Sequence, residues 1–238
     1  MRVHKLFRSV VLLILSVMFL SGFTVVGKGY ELYRNAVGEM SLEEKVASVQ
    51  KKEGYTTLED LPDVYKNAVI SVEDHRFYSH FGIDPIAIGR AVLHDIQAGR
   101  YVEGGSTITQ QLAKNLYFSN EKKMTRKIAE VFMAFELEEK YSKNEILELY
   151  VNSIYFGDGY YTAGDASRGY FDKEPEMMDE YECTLLAGIP NAPSRYAPTK
   201  NQELAERRQY QVLKRMEACG YFSKEEAETV ASQMVAFQ

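Results

Sequence analysis

The chain has 238 residues, 45% hydrophobic and 26% charged, which is a globular composition with room for one substantial domain and an anchor. Its formal net charge is −6, and since the first thirty residues hold four basic side chains and no acid, the remainder is more acidic still. That balance argues against nucleic acid as the main partner, although local basic clusters can still bind phosphate. Four scattered histidines give no zinc-protease pattern, and Cys183 and Cys219 lack metal-ligand spacing and read as free or buried thiols.

Arg2, Lys5 and Arg8 precede an uncharged run over residues 9–27. As a helix that run spans about 28 Å, close to the ~30 Å hydrocarbon core of a bilayer. The basic flank predicts a cytoplasmic N-terminus with the bulk of the chain outside. A cleaved signal peptide is the competing reading, but no A-x-A-like site follows the apolar core. LSGF, at residues 20–23, also lacks the cysteine of a lipoprotein site. The expected organisation is a cytoplasmic stretch at 1–8, a transmembrane helix at 9–27, a connector at 28–40 and one folded domain at 41–238.

Ser41-Leu42-Glu43-Glu44 is a capping box that predicts a helix start. Residues 55–62 read as a loop before a short helix ending near Ser71. Asp84-Pro85 predicts a cap followed by proline at the first helical position, with IAIGRAVLHDI continuing the helix. Residues 97–105 form a glycine-bearing loop, a candidate flap over a cleft. Ser106 or Thr107 caps the helix suggested by ITQQLAKNL. Over residues 122–140 the pattern is helical, with Met124, Ile128, Phe132 and Phe135 on one face. Glu130 lies opposite, with Met133, Ala134 and Leu137. A helix apolar on two sides is buried on both, which sets Glu130 in a wall or cleft; the alternative is a solvent-facing glutamate on a basic helix. Ser142 opens another capped helix, and residues 152–159 form an aromatic, glycine-rich turn near a site. Residues 177–189 read as a buried helix closed by Pro190, residues 203–219 as an amphipathic one, and Ser223 caps the last. No repeat and no succession of strands is visible, so the chain reads as mainly α.

Chemistry is densest over residues 71–118. Glu73 and Asp74 sit among Val72, Phe77, Tyr78 and Phe81, and a carboxylate desolvated in this way has its pKa raised toward general-base or general-acid values. An isolated Glu-Asp pair is, however, more often surface charge. In Gly104-Gly105-Ser106-Thr107 two permissive glycines precede two hydroxyls, and the helix start behind them offers free N–H groups to an anion. Gln110, Gln111, Lys114 and Asn115 add amides and an ammonium within about one and a half turns. The plain alternative is a polar helix with an ordinary cap. Lys122, Lys123, Arg126 and Lys127 form either a solvated face or a cradle for a diphosphate.

EDHRFYSHFGID at residues 73–84 and EGGSTITQQLAKN at residues 103–115 closely resemble the first two motifs of the peptidoglycan glycosyltransferases, glycosyltransferase family 51. The likeness continues through RKIAEVFMAFELEEKYSKNEILELYVN, NSIYFGDGYYTAGDASRGYFDK and TLLAGIPNAPSRYAP. Five family motifs thus run in order over roughly residues 58–198. The resemblance implies a mainly α, lysozyme-like glycosyltransferase domain with a smaller membrane-proximal lobe, preceded here by one transmembrane helix. It implies a cell-membrane enzyme, single-pass, with its catalytic domain on the extracytoplasmic face. The family polymerises lipid II into glycan strands. An N-acetylglucosamine 4-hydroxyl attacks the donor's anomeric carbon, configuration inverts, and polyprenyl diphosphate leaves.

By that resemblance Glu73 is the general base, and Glu130 assists or positions the leaving group and any metal. Lys114 contacts donor phosphate, as do the basic residues Lys122 and Arg126. Ser106, Gln110, Gln111 and Asn115 line the donor site, and Asp74 supports the loop of the base. No cofactor is obligatory; Mg or Mn at the donor diphosphate is the expected optional metal, with Glu130 as its candidate ligand. Implied partners are lipid II, the nascent glycan strand, membrane lipid, penicillin-binding proteins and other wall-synthesis proteins, and no nucleic acid. Moenomycin-like donor mimics are expected to bind. Three positions depart from the family pattern: Lys122 replaces a common arginine and loses its bidentate fork, while Thr162 and Asp172 replace glycines. Only about 40 residues follow Pro198, so the resemblance is to the monofunctional transglycosylases rather than the bifunctional proteins. Two readings compete. A lysozyme-like glycan hydrolase would also use two glutamates, but needs neither the anchor nor the Lys/Arg cluster. A non-catalytic membrane-tethered scaffold would explain the altered fourth motif, but not the intact Glu73 and Glu130.

Overall fold

Helices carry the fold. The computed structural model describes residues 2–99, 104–119 and 123–234, with side chains at Leu12, Ser16 and from Phe19 onward. Among the described residues there are twelve α-helices and no β-strand. In chain order they are α1 (Arg2–Glu39), α2 (Leu42–Gln50), α3 (Asp63–Glu73), α4 (Pro85–Ala98), α5 (Ile108–Tyr117) and α6 (Met124–Lys140). After them come α7 (Lys143–Val151), α8 (Ala163–Phe171), α9 (Glu180–Gly188), α10 (Pro193–Tyr196), α11 (Gln202–Ala218) and α12 (Lys224–Ala231). Part of the expected flap, residues 100–103, lies outside the described residues, and so does Lys122.

Local chemistry sets most helix starts. Ser41, Thr107, Ser142, Asp179 and Ser223 each close a capping box, in which the side chain accepts from the third helical N–H and the third side chain accepts in return. Asp84 caps α4 by accepting from the Ile86 and Ala87 N–H groups at 2.9 Å, with Pro85 just inside. The buried helix expected over residues 177–189 starts later, because residues 175–177 make a separate 3-10 turn and Asp179 is the cap of α9. The connector expected at residues 28–40 is no separate element, since α1 runs on through it to Glu39.

The core gathers α3, α9 and α11, with α5 lying between α6 and α7. Tyr65, Phe77, Tyr150 and Phe156 are fully buried, and each contributes about 1.5–3 kcal/mol by leaving water. Glu148 and Asn152 stitch the loop before α3 onto α7. Glu148 accepts from the Leu58 N–H at 2.8 Å, and the Asn152 amide both accepts from the Thr56 N–H and donates to the Thr56 carbonyl. The aromatic turn at residues 152–159 that follows α7 is not part of the lining of the cleft described below.

Helix α1 packs along α6. Tyr30 and Tyr33 lie against Phe132 with ring centroids 5.1 and 5.9 Å apart, and the Tyr33 hydroxyl donates to Glu136 at 2.7 Å. The contact needs Gly29, where a Cβ would stand 2.5 Å from the Ile128 Cβ. Among the described residues no helix is long and apolar enough to cross a membrane. On α4, Ile86, Leu93 and Ile96 are 68%, 60% and 72% exposed.

Candidate active site

A cleft of about 1050 Å³ opens between the end of α3, the start of α4, the segment from Gly104 to Thr107, helices α5 and α6, and the flank of α11. Glu73, the last residue of α3, reaches into it, and its Oε2 accepts from the Gln111 amide at 2.8 Å. Among the described residues that is its only hydrogen-bond donor, so Oε1 is left to the cleft. Asp74 is buried. It accepts from the Ile108 N–H at 3.1 Å and meets His80 Nε2 at 2.9 Å. The Thr107 hydroxyl donates to the Gly82 carbonyl at 2.7 Å. These two ties hold the start of α5 against the loop after α3. Gly82 has φ +75° and a Cβ there would stand 3.2 Å from the Ala134 carbonyl, so this close approach suits glycine alone.

On α6, Glu130 is 1% exposed, and both its oxygens are taken. Arg126, one turn earlier, pairs with one, and Lys127 Nζ holds the other at 2.8 Å. Lys127 also donates to the Ser106 hydroxyl at 2.6 Å, fastening the glycine segment to α6. Burial pushes the Lys127 ammonium down to about 8, with repulsion from Arg126 and Lys114 adding to it. Lys114 is also lowered, by burial and then by Arg126, while Glu73 opposes the shift.

The Transglycosylase family model matches residues 40–217. The chain belongs to that family. Among the relatives it resembles, penicillin-binding protein 1F of Bacillus subtilis (strain 168) is 39% identical over 236 residues, which are 94% of this chain and 33% of that protein. Penicillin-binding protein 1A of Aquifex aeolicus (strain VF5) is 43% identical over 183 residues, 77% of this chain and 25% of that one. The chain thus spans a third or less of the length of these curated relatives. The crystal structure of penicillin-binding protein 1A from Haemophilus influenzae overlays at a TM-score of 0.46 with 22% identity, covering 75% of this chain and 17% of that one.

Within this cleft the fold brings together Glu73, Asp74, Ser106, Gln110, Gln111, Lys114, Arg126 and Glu130. Gln110 is occupied by its own helix, its side-chain oxygen accepting from the Thr107 N–H at 3.1 Å. Asn115 is not brought in. It is exposed, one turn further along α5 than Gln111 and beyond the cleft lining. Sequence reasoning missed the opposite wall, where Arg208, Lys214 and Arg215 of α11 face the same space as Arg90 and His94 of α4. Burial lowers Arg208, against the pull of Glu73. The available signal was the seven-residue spacing of Arg208 and Arg215, two turns apart on one helix face.

The departures from the family pattern find local explanations. Thr162 caps α8 by accepting from the Asp165 N–H at 3.0 Å. Asp172 takes the left-handed position that ends α8, with φ 55° and ψ 37°, a conformation that Asp tolerates better than most side chains. Both cysteines are free. A divalent metal fits this donor set poorly. Glu130 is already neutralised by two cations, and among the described residues no group of three or more ligand-type side chains converges.

Proposed function

We propose that this chain is a peptidoglycan glycosyltransferase that joins lipid II units into glycan strands, with inversion at the anomeric carbon and release of polyprenyl diphosphate. The observation that carries this reading is the division of one cleft: among the described residues Glu73 keeps one carboxylate oxygen unpartnered, while Arg126 and Lys127 hold the buried Glu130 and Lys114 lines the same space. Family membership and the relatives' names agree with it.

In this mechanism Glu73 takes the proton of the acceptor 4-hydroxyl as its oxygen bonds to the donor's anomeric carbon. The bond from that carbon to the diphosphate oxygen breaks, and the departing negative charge falls to the cations of α5 and α6. Glu130 holds Arg126 and Lys127 in place, and Ser106 and Gln111 complete the donor side. Asp74 keeps the loop of the base fixed to α5. The diphosphate is met by side-chain cations. Moenomycin-like donor mimics occupy the same cleft.

The chain works at the cell membrane, anchored by the uncharged stretch at residues 9–27 with its N-terminus cytoplasmic. The exposed apolar side chains of α4 form part of the smaller, membrane-facing lobe. The nascent strand, membrane lipid, penicillin-binding proteins and other wall-synthesis proteins are its partners. The test is to incubate detergent-solubilised chain with labelled lipid II, with and without Mg²⁺, and to separate the products on a gel. A ladder of lysozyme-sensitive strands is expected. Unchanged lipid II with binding retained would overturn the reading in favour of a scaffold.

A further inference from the structure

Gln111 stands between two groups that want opposite things from it. On one side its Nε2 donates to Glu73 at 2.8 Å; on the other its Oε1 lies 3.3 Å from the hydroxyl of Tyr150. Three helices meet in this chain: α3 supplies the carboxylate, α5 the amide and α7 the phenol. An amide has one donor end and one acceptor end, and a carboxylate only accepts. The orientation that serves Glu73 therefore points the Gln111 Oε1 inward at Tyr150, where the only donor it meets among the described residues is the phenol. Turning the amide over would set two acceptors against each other at Glu73.

Tyr150 can fill the donor's part reliably. It is completely buried, and Ile146, Leu147 and Leu149 of its own helix are buried around it. Burial, followed by the charge of Glu73, holds its phenol protonated well above the usual range. Its hydroxyl has one acceptor among the described residues, the Gln111 oxygen.

We propose that Tyr150 is a positioning residue for the base: its buried hydroxyl anchors the Gln111 amide so that the NH₂ end stays on Glu73 Oε2 and the other oxygen of Glu73 stays turned to the cleft. This rests on the reading of Glu73 as the base. With phenylalanine at 150 the amide oxygen loses its partner inside the protein. It regains one only by swinging toward the water of the cleft, which draws the NH₂ off Glu73. A hydrogen bond to the charged form of a carboxylate lowers its pKa, so losing that bond raises it. The other groups acting on Glu73 come from separate elements, Lys114 on α5 and Arg208 on α11, with Asp74 next in the chain, and Y150F alters none of them.

The experiment titrates the full chain in lipid nanodiscs with isotope-labelled glutamate carboxyls, the Glu73 signal being identified by its loss in E73Q. Wild type, Y150F, Q111A and the double variant are compared, and polymerisation kinetics are run on each. Y150F is expected to raise the Glu73 midpoint by about half a unit to one unit. Its kcat is expected to fall about threefold to tenfold below neutral pH with KM unchanged, the size of effect that such a shift produces in a general base. Q111A should raise the midpoint at least as far, and the double variant should match Q111A. A midpoint unmoved by Y150F overturns the proposal, as does a Y150F effect that persists undiminished on the Q111A background. Q111A leaves the core untouched, so an unmoved midpoint in Q111A also overturns it, even if Y150F folds poorly. The carboxyl titration needs no turnover. A chain that never polymerises lipid II sinks the functional reading, while the titration still decides the role of Tyr150.

Discussion

Glu73 and Glu130 line one cleft and are held in opposite ways. Glu130 lies at the floor, 1% exposed, with a guanidinium on one oxygen and an ammonium on the other. Glu73 is half-buried and, among the described residues, receives a single neutral amide hydrogen. A carboxylate clamped between two cations is a poor proton acceptor, and a carboxylate with one oxygen unpartnered is a ready one. Residue type is the same at both positions. What separates the two roles is the helix each stands on and what that helix packs against.

The sharpest way to break this comparison is E73Q. Loss of the accepting oxygen's charge is expected to lower polymerisation by about a hundredfold to ten-thousandfold while leaving thermal stability close to wild type. Wild-type rates on a lipid II gel would remove Glu73 from the chemistry. The reverse pattern is expected at the floor. E130A leaves Arg126 and Lys127 facing each other without their counter-charge, and denaturant melts should show a loss of about 3 kcal/mol, the low end for a broken buried pair because Lys127 is partly in water. An unchanged midpoint would mean that the cations relax outward and that Glu130 does not organise them.

Helix α1 supports the floor from behind. G29A places a methyl 2.5 Å from the Ile128 Cβ, and the strain should lower stability by about 1–3 kcal/mol. Melts of the full chain in detergent would reveal it, and a neutral result would show that α1 rides loosely on α6. The smallest effect concerns pH. Burial lowers Lys127 to about 8, so it carries its charge below that value and loses it as pH rises through it. KM for the donor should therefore rise by about threefold on the alkaline side, roughly the worth of one partly exposed ion pair. K127R keeps its charge and should flatten the rise. Equal slopes in both proteins would take Lys127 out of donor binding.

Much of the fold was readable because its signals are local. Ser41, Thr107, Ser142 and Ser223 announce helix starts through side chains that bond to backbone three residues away, so no distant partner is needed. The two-sided apolar pattern around Glu130 likewise foretold its burial. Asn115 shows the limit of such signals: its spacing from Gln111 suits one helix face, yet Lys114 lines the cleft while the next residue, Asn115, is exposed outside the lining. The cations of α11 escaped notice because an amphipathic helix shows its polar stripe in the sequence without showing what that stripe faces.

The order of residues alone was enough to establish a mainly α chain, the places where most of its helices start, and the family whose motifs it carries. All of these rest on interactions within a few residues or on matched strings. The pairing of Glu73 with Gln111, that of Gln111 with Tyr150, and the place of the α11 cations beside Glu73 were settled by the packing of α3, α5, α7 and α11. Gln111 and Tyr150 are 39 residues apart in the chain, and Arg208 is farther still from Glu73. No local periodicity encodes such distances; only the burial of the shared core brings these side chains within reach of one another.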